Sequence, residues 1–151
     1  MNKLTLALLA LAFVFVANPL AAQSAEELQM MYLNVLEKNE LAGTIDGDGD
    51  VQFEYNNFTY FIDVDENDPE YFGLVLANIW PIESEMERLQ VLKAADVVNA
   101  NKKVGKVYIN NDNVWITYED IQKEVGDFEA YFKRGLEIIA QSVSMFREEM
   151  N

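Results

Sequence analysis

Histidine and cysteine are both missing from this 151-residue chain. Their absence removes a Ser-His-Asp triad, a cysteine nucleophile and ordinary zinc ligation. Without cysteine there is no disulfide and no acceptor for a lipid at a leader-peptide junction, so the fold must be held by packing alone. Proline occurs 3 times and glycine 7 times, too few for a flexible linker or a glycine-rich phosphate loop. Basic residues are scarce as well: 11 Lys and Arg stand against 26 Asp and Glu, a net charge of −15. That balance argues against nucleic acid and against anionic lipid surfaces, and is compatible with solubility, cations or a basic partner.

Long apolar runs are confined to the N-terminus. Lys3 precedes an uninterrupted apolar stretch from Leu4 to Ala17. Asn18 and Pro19 break it, and the small residues Ala21, Ala22, Ser24 and Ala25 follow. The pattern predicts a secretory signal peptide over residues 1–22, cleaved after Ala22, and the run is too short for a membrane span of roughly 20 residues. The expected product is one α+β domain over residues 23–151, exported to a periplasm or beyond and free of the membrane after cleavage. Loss of Lys3 leaves 10 basic against 26 acidic residues, or −16.

Hydrophobic periodicity predicts the order α-β-β-β-α-β-β-α, an antiparallel sheet with packed helices. Ser24 and Glu27 form a capping box before Leu28, Met31, Tyr32, Val35 and Leu36 at helical spacing. This helix is expected to end near Leu41. Strands are expected at Val51–Tyr55, Phe58–Val64 and Tyr71–Trp80. Asn56-Asn57 is read as a tight turn and Gly73 as a bend or bulge. Ser84 and Glu87 open a second helix running to about Asn101, with Met86, Leu89, Leu92 and Ala95 or Asp96 expected on one face and Val91 and Val98 widening it. A hairpin is expected from Val104–Ile109 and Val114–Tyr118. A helical turn is expected around Glu119–Glu124, and a last long helix from about Asp127.

The remaining candidates for chemistry are carboxylates and aromatics. Asp46, Asp48 and Asp50 resemble the start of a calcium loop, but its sixth position is Val51 rather than Gly and its twelfth is Asn57 rather than Glu. The expectation is a solvated turn and no metal or cofactor, with weak calcium binding as the alternative. Paired carboxylates could hydrolyse envelope glycans, although no pair stands out in the sequence. Some strands read as apolar on both faces, which points to an interface contribution from Tyr60, Trp80 or Trp115. Lys102, Lys103 and Lys106 form the only basic cluster, placed to offset a helix C-terminus.

Four features resemble the YbjN domain family, described as candidate bacterial sensory-transduction regulators. They are the acidic loop before Val51-Gln52-Phe53-Glu54, the Phe58–Val64 strand, the helix end Ala94–Asn101 with Asn99 and Asn101, and Lys106-Val107-Tyr108-Ile109 before the Asp112 turn. The likeness spans roughly residues 27–150. It implies the fold of type III secretion chaperones, which form homodimers and bind extended peptides, and it implies no catalytic residues. The resulting expectation is a non-enzymatic, exported binding domain, dimeric, with a protein or peptide ligand. The cytoplasmic role of those chaperones does not carry over to an exported chain. Asn101 is expected to cap its helix in a left-handed conformation.

Overall fold

The computed structural model describes residues 23–151. The expected leader at residues 1–22 lies outside them. Helix α1 spans Ala25–Lys38, and its capping box forms as expected: the Ser24 hydroxyl accepts from the Glu27 N–H while Glu27 reaches back to the Ser24 N–H. Asn39 ends it two residues before the expected stop. The strands are β1 (Gly43–Ile45), β2 (Val51–Tyr55), β3 (Phe58–Ile62), β4 (Tyr71–Pro81), β5 (Gly105–Asn110) and β6 (Asn113–Ile121). Helix α2 spans Glu85–Asn101, and a 3-10 turn at Asp127–Ala130 leads into α3 (Phe132–Met150).

The six strands form one antiparallel sheet in the order β1-β2-β3-β4-β6-β5. The α+β class and the predicted order hold, with β1 added. Asn56 and Asn57 take φ of 51° and 63° between β2 and β3, the left-handed pair that a two-residue hairpin requires. Asn111-Asp112 closes the second hairpin, with Asn111 at φ 53°. The irregularity in β4 falls between Leu76 and Trp80, where Asn78 takes φ 56°, and not at Gly73. The stretch expected as a helical turn after Glu119 instead continues β6 as far as Ile121, paired with Tyr71.

Register decides which side chains share a face. Val51, Phe53, Tyr60, Ile62, Leu74, Leu76, Ile116 and Val107 line one side. All are nearly inaccessible, and all belong to the core with Leu28, Tyr32 and Leu36 of α1 and Phe132, Leu136, Ile139 and Phe146 of α3. Phe72 stacks on Phe128 at 4.8 Å between ring centres, and Tyr32 meets Phe128 edge-on at 4.9 Å. Gly135 lets α3 approach β6: a Cβ there would stand 3.0 Å from the Tyr118 ring.

Helix α2 buries only the Val91, Ala95 and Val98 part of its expected face. Val91, Ala94, Ala95 and Val98 are buried, whereas Met86, Leu89 and Leu92 are 70%, 48% and 52% exposed. Both sets have helical spacing. The set rich in alanine wins because small side chains let α2 lie close to its neighbours.

Candidate functional site

The helices pack against one side of the sheet, so among the described residues the other side has no helical cover. One complete cross-strand row on that open side reads Thr44, Gln52, Phe61, Val75, Thr117, Lys106. Flanking it, Trp115 sits opposite Tyr108 with ring centres 6.2 Å apart. On the other flank, Gly73 pairs with Glu119, and the Asp63 N–H donates to the Gly73 carbonyl. Tyr71 lies two residues before Gly73 on the same face.

Gly73 is the floor of this flank. A Cβ at that position would stand 2.6 Å from Asp63 Oδ2 and 2.9 Å from Tyr71 Oη. The carboxyl and the phenol therefore converge on space that only glycine leaves open. Burial, reinforced by Asp50, Glu119 and Asp65, pushes the Asp63 carboxyl up to about 6, and Lys106 offsets part of this. Burial also raises the Tyr71 and Tyr108 phenols, with Glu119 and Asp63 adding to it. Glu119 is engaged: Lys106 Nζ lies 2.6 Å from its Oε1, and the Thr117 hydroxyl donates to it at 2.9 Å. The same ammonium sits 5.2 Å above the centre of the Tyr108 ring. Among the described residues the Asp63 carboxylate has no such hydrogen-bonded or ion-paired partner.

The three aromatic residues singled out from the sequence are separated by the sheet. Tyr60 is 2% exposed and stacks on Phe53 in the core, so it offers no binding surface in this chain. Trp80 is half-buried on the helical side, 6.0 Å from the Phe146 ring, and its indole N–H donates to Glu87. Trp115 faces the open side, where its N–H donates to Asn78 Oδ1 at 3.2 Å.

Asn99 lies at the edge of the sheet, exposed overall, and its carboxamide bonds to both backbone groups of Val107. Asn101 is the last helical residue, and its amide donates to the Val97 carbonyl at 2.8 Å. It is not left-handed; Lys102 turns the chain in an extended conformation with φ −110° and ψ 139°.

In the acidic loop, Asp46 Oδ1 accepts from the N–H groups of Asp48, Gly49 and Asp50 at 2.9–3.0 Å. Asp50 Oδ1 accepts from the Val64 N–H. The loop thus uses carboxylate oxygens to satisfy its own backbone. Among the described residues no group of three or more His, Cys, Asp or Glu is gathered to hold a metal. No helix among them is long and apolar enough to cross a membrane.

The Asp63–Tyr71–Glu119–Lys106–Tyr108 group escapes a reading by sequence because its members come from three strands and from the residue that follows β3. The one local signal is Gly73 inside an otherwise apolar strand.

No protein-family model and no curated protein matches this sequence. Two solved structures share its fold. The crystal structure of YbjN from E. coli superposes with a TM-score of 0.60 at 11% identity, over 82% of this chain and 90% of that one. A chain of the HopA1–SchA chaperone–effector complex superposes with a TM-score of 0.56 at 13% identity, over 80% of this chain and 95% of that one. The chain therefore has the YbjN-like, secretion-chaperone-like fold.

Proposed function

We propose that this protein is a non-enzymatic binding domain that receives an extended protein segment carrying Lys or Arg on its open sheet face. The observation that carries the reading is the uncovered face itself. Trp115, Tyr108, Tyr71 and Phe61 present ring surface there, and the half-buried Asp63 carboxylate beside them lacks a cation of its own. Charge selects the occupant: a chain with 26 acidic and 11 basic residues attracts cationic segments. Aromatic faces add cation–π and stacking contacts to such side chains. A chaperone–effector complex built on the same fold supports a role in holding another protein. Glu119 is committed to Lys106 and Thr117, so the open face does not offer a free pair of carboxylates for glycan hydrolysis.

Export through a leader at residues 1–22 and dimerisation through the exposed Met86-Leu89-Leu92 stripe belong to the same proposal. Mass spectrometry of the protein from the native envelope, starting at Gln23, supports export; an intact Met1 contradicts it. Light scattering during size exclusion tests the dimer, with Leu89→Glu expected to yield a monomer. The binding test uses blocked peptides of alternating Arg and Val or alternating Glu and Val. Titration is expected to show binding of the Arg peptide only, with Trp115→Ala weakening it at least about tenfold. Equal binding of both peptides, or no effect of Trp115→Ala, removes the open face as the site.

A further inference from the structure

Strand β5 ends the sheet, so one row of its backbone groups has no strand beside it. Alternation along the hairpin turns the N–H and C=O of Val107 to this outer side. Both are occupied by one side chain. The Val107 N–H donates to Asn99 Oδ1 at 2.8 Å, and Asn99 Nδ2 donates to the Val107 carbonyl at 3.0 Å. A carboxamide carries the same donor and acceptor as a peptide unit, so Asn99 stands where a residue of a seventh strand would pair. It comes from the last turn of a helix that ends two residues later.

Beside this contact runs a groove of about 470 Å³ lined by Asn99, Lys102, Lys103, Gly105 and Lys106, the last of them paired with Glu119 at the groove's wall. It holds three of the 11 basic residues of an acidic chain. Proximity to the C-terminus of α2 accounts for Lys102 and Lys103 but not for the two-bond mimicry by Asn99. We infer that the β5 edge is a latched docking site for an acidic extended segment, with Asn99 as the latch. Release of the last turn of α2 frees the Val107 backbone for strand addition, and Lys102 and Lys103, neither of them ion-paired among the described residues, meet the carboxylates of the incoming strand. This site lies at the β5 edge, adjoins the open face through Lys106 and Glu119, and takes a ligand of opposite charge.

The test titrates a blocked octapeptide of alternating Glu and Val into the wild type and Asn99→Ala, with amide exchange read at Val107. Removing two competing hydrogen bonds is expected to tighten binding at least about tenfold. The Val107 amide, exposed in the free variant, is expected to regain protection with peptide, and Lys103→Glu added to Asn99→Ala is expected to abolish the gain. Unchanged affinity overturns the latch. Binding that leaves Val107 unprotected overturns strand addition in favour of plain lysine electrostatics. Self-association of Asn99→Ala without peptide binding overturns the acidic occupant in favour of a second copy. Asn99→Gln, which keeps the carboxamide but displaces it by one methylene, is expected to show the same gain if Asn99→Ala fails to fold, and its failure to do so overturns the proposal.

Discussion

Replacing Asp63 by Asn is expected to stabilise the protein at neutral pH and to flatten its pH dependence. Burial is the main reason the Asp63 carboxyl is raised from 3.8 to about 6, and Asp50, Glu119 and Asp65 add to it. Between those two values the folded state binds more protons than the unfolded chain. Stability therefore falls as pH rises through the window from about 4 to 6, and stays reduced above it. At 1.36 kcal/mol per unit, the shift sets a ceiling of about 3 kcal/mol. The carboxyl is only half-buried, and solvent screening reduces this to roughly 1–2 kcal/mol. Asn has nearly the same shape and no charge, so Asp63→Asn should raise the melting temperature by about 5 °C at pH 7.5. At pH 4 the two proteins should melt within a degree or so of each other, because Asp63 is already protonated. Urea unfolding at pH 4, 5, 6 and 7.5 reads the difference directly, and subtracting the variant cancels the repulsion shared by the other carboxylates. An Asn variant less stable at pH 7.5 would falsify the argument, since it would show that the ionised carboxylate has a partner that holds it.

Phe72→Ala is expected to cost about 3–5 kcal/mol, because the ring is almost fully buried and packs on Phe128, Tyr32 and Tyr118; chemical denaturation measures it. Asn57→Gly should leave stability unchanged or raise it slightly, whereas Asn57→Val should cost about 1–2 kcal/mol, since a branched side chain resists φ near 63°. Gly73→Ala is expected to destabilise and to lower the pKa of Asp63, because the new methyl group collides with the carboxyl and pushes it toward water. Carbon-detected NMR titration of the Asp63 carboxyl checks the second half, and an unmoved pKa would contradict the packing described.

Local signals made most elements legible. Ser24 and Glu27, and the run of apolar residues behind them, define α1; Asn56-Asn57 between alternating segments defines the first hairpin. Where two periodic faces competed, local pattern was insufficient. In α2 the Met86-Leu89-Leu92 face is the more hydrophobic, yet Val91, Ala94, Ala95 and Val98 are buried, because the space beside α3 admits small side chains. Glu119–Glu124 carries polar residues compatible with a helical turn, but pairing of Ile121 with Tyr71 extends β6. The candidate site was least legible for the same reason. Asp63, Gly73 and Glu119 are distant in sequence, and only strand order and register make them neighbours. Tyr60 and Trp115 look alike in the sequence as aromatics in alternating strands. Which of them faces solvent depends on which side the helices occupy, a property of the whole sheet.

The open face also explains how a sheet covered on one side avoids presenting a raw apolar patch. Val75 and Thr117 lie at its centre without a helix above them, yet they are 4% and 2% exposed. Their register neighbours on this face are the longer side chains of Phe61, Lys106 and, two residues along β6, Trp115. A ligand consequently meets ring faces, an ammonium and carboxylates, and never the aliphatic layer beneath. Little apolar area is newly removed from water when an extended segment lies across such a surface, so affinity rests on stacking and on the Asp63 charge. The proposed binding is expected to weaken with salt and with acid, which titration of the Arg-Val peptide at two salt concentrations and at pH 5 and 7.5 checks. Protonation of Asp63 removes the attraction for a Lys or Arg side chain over the same window in which it stabilises the fold. Stability and binding are thereby opposed through one carboxylate, which ties the Asp63→Asn gain in melting temperature to a loss of cationic peptide binding.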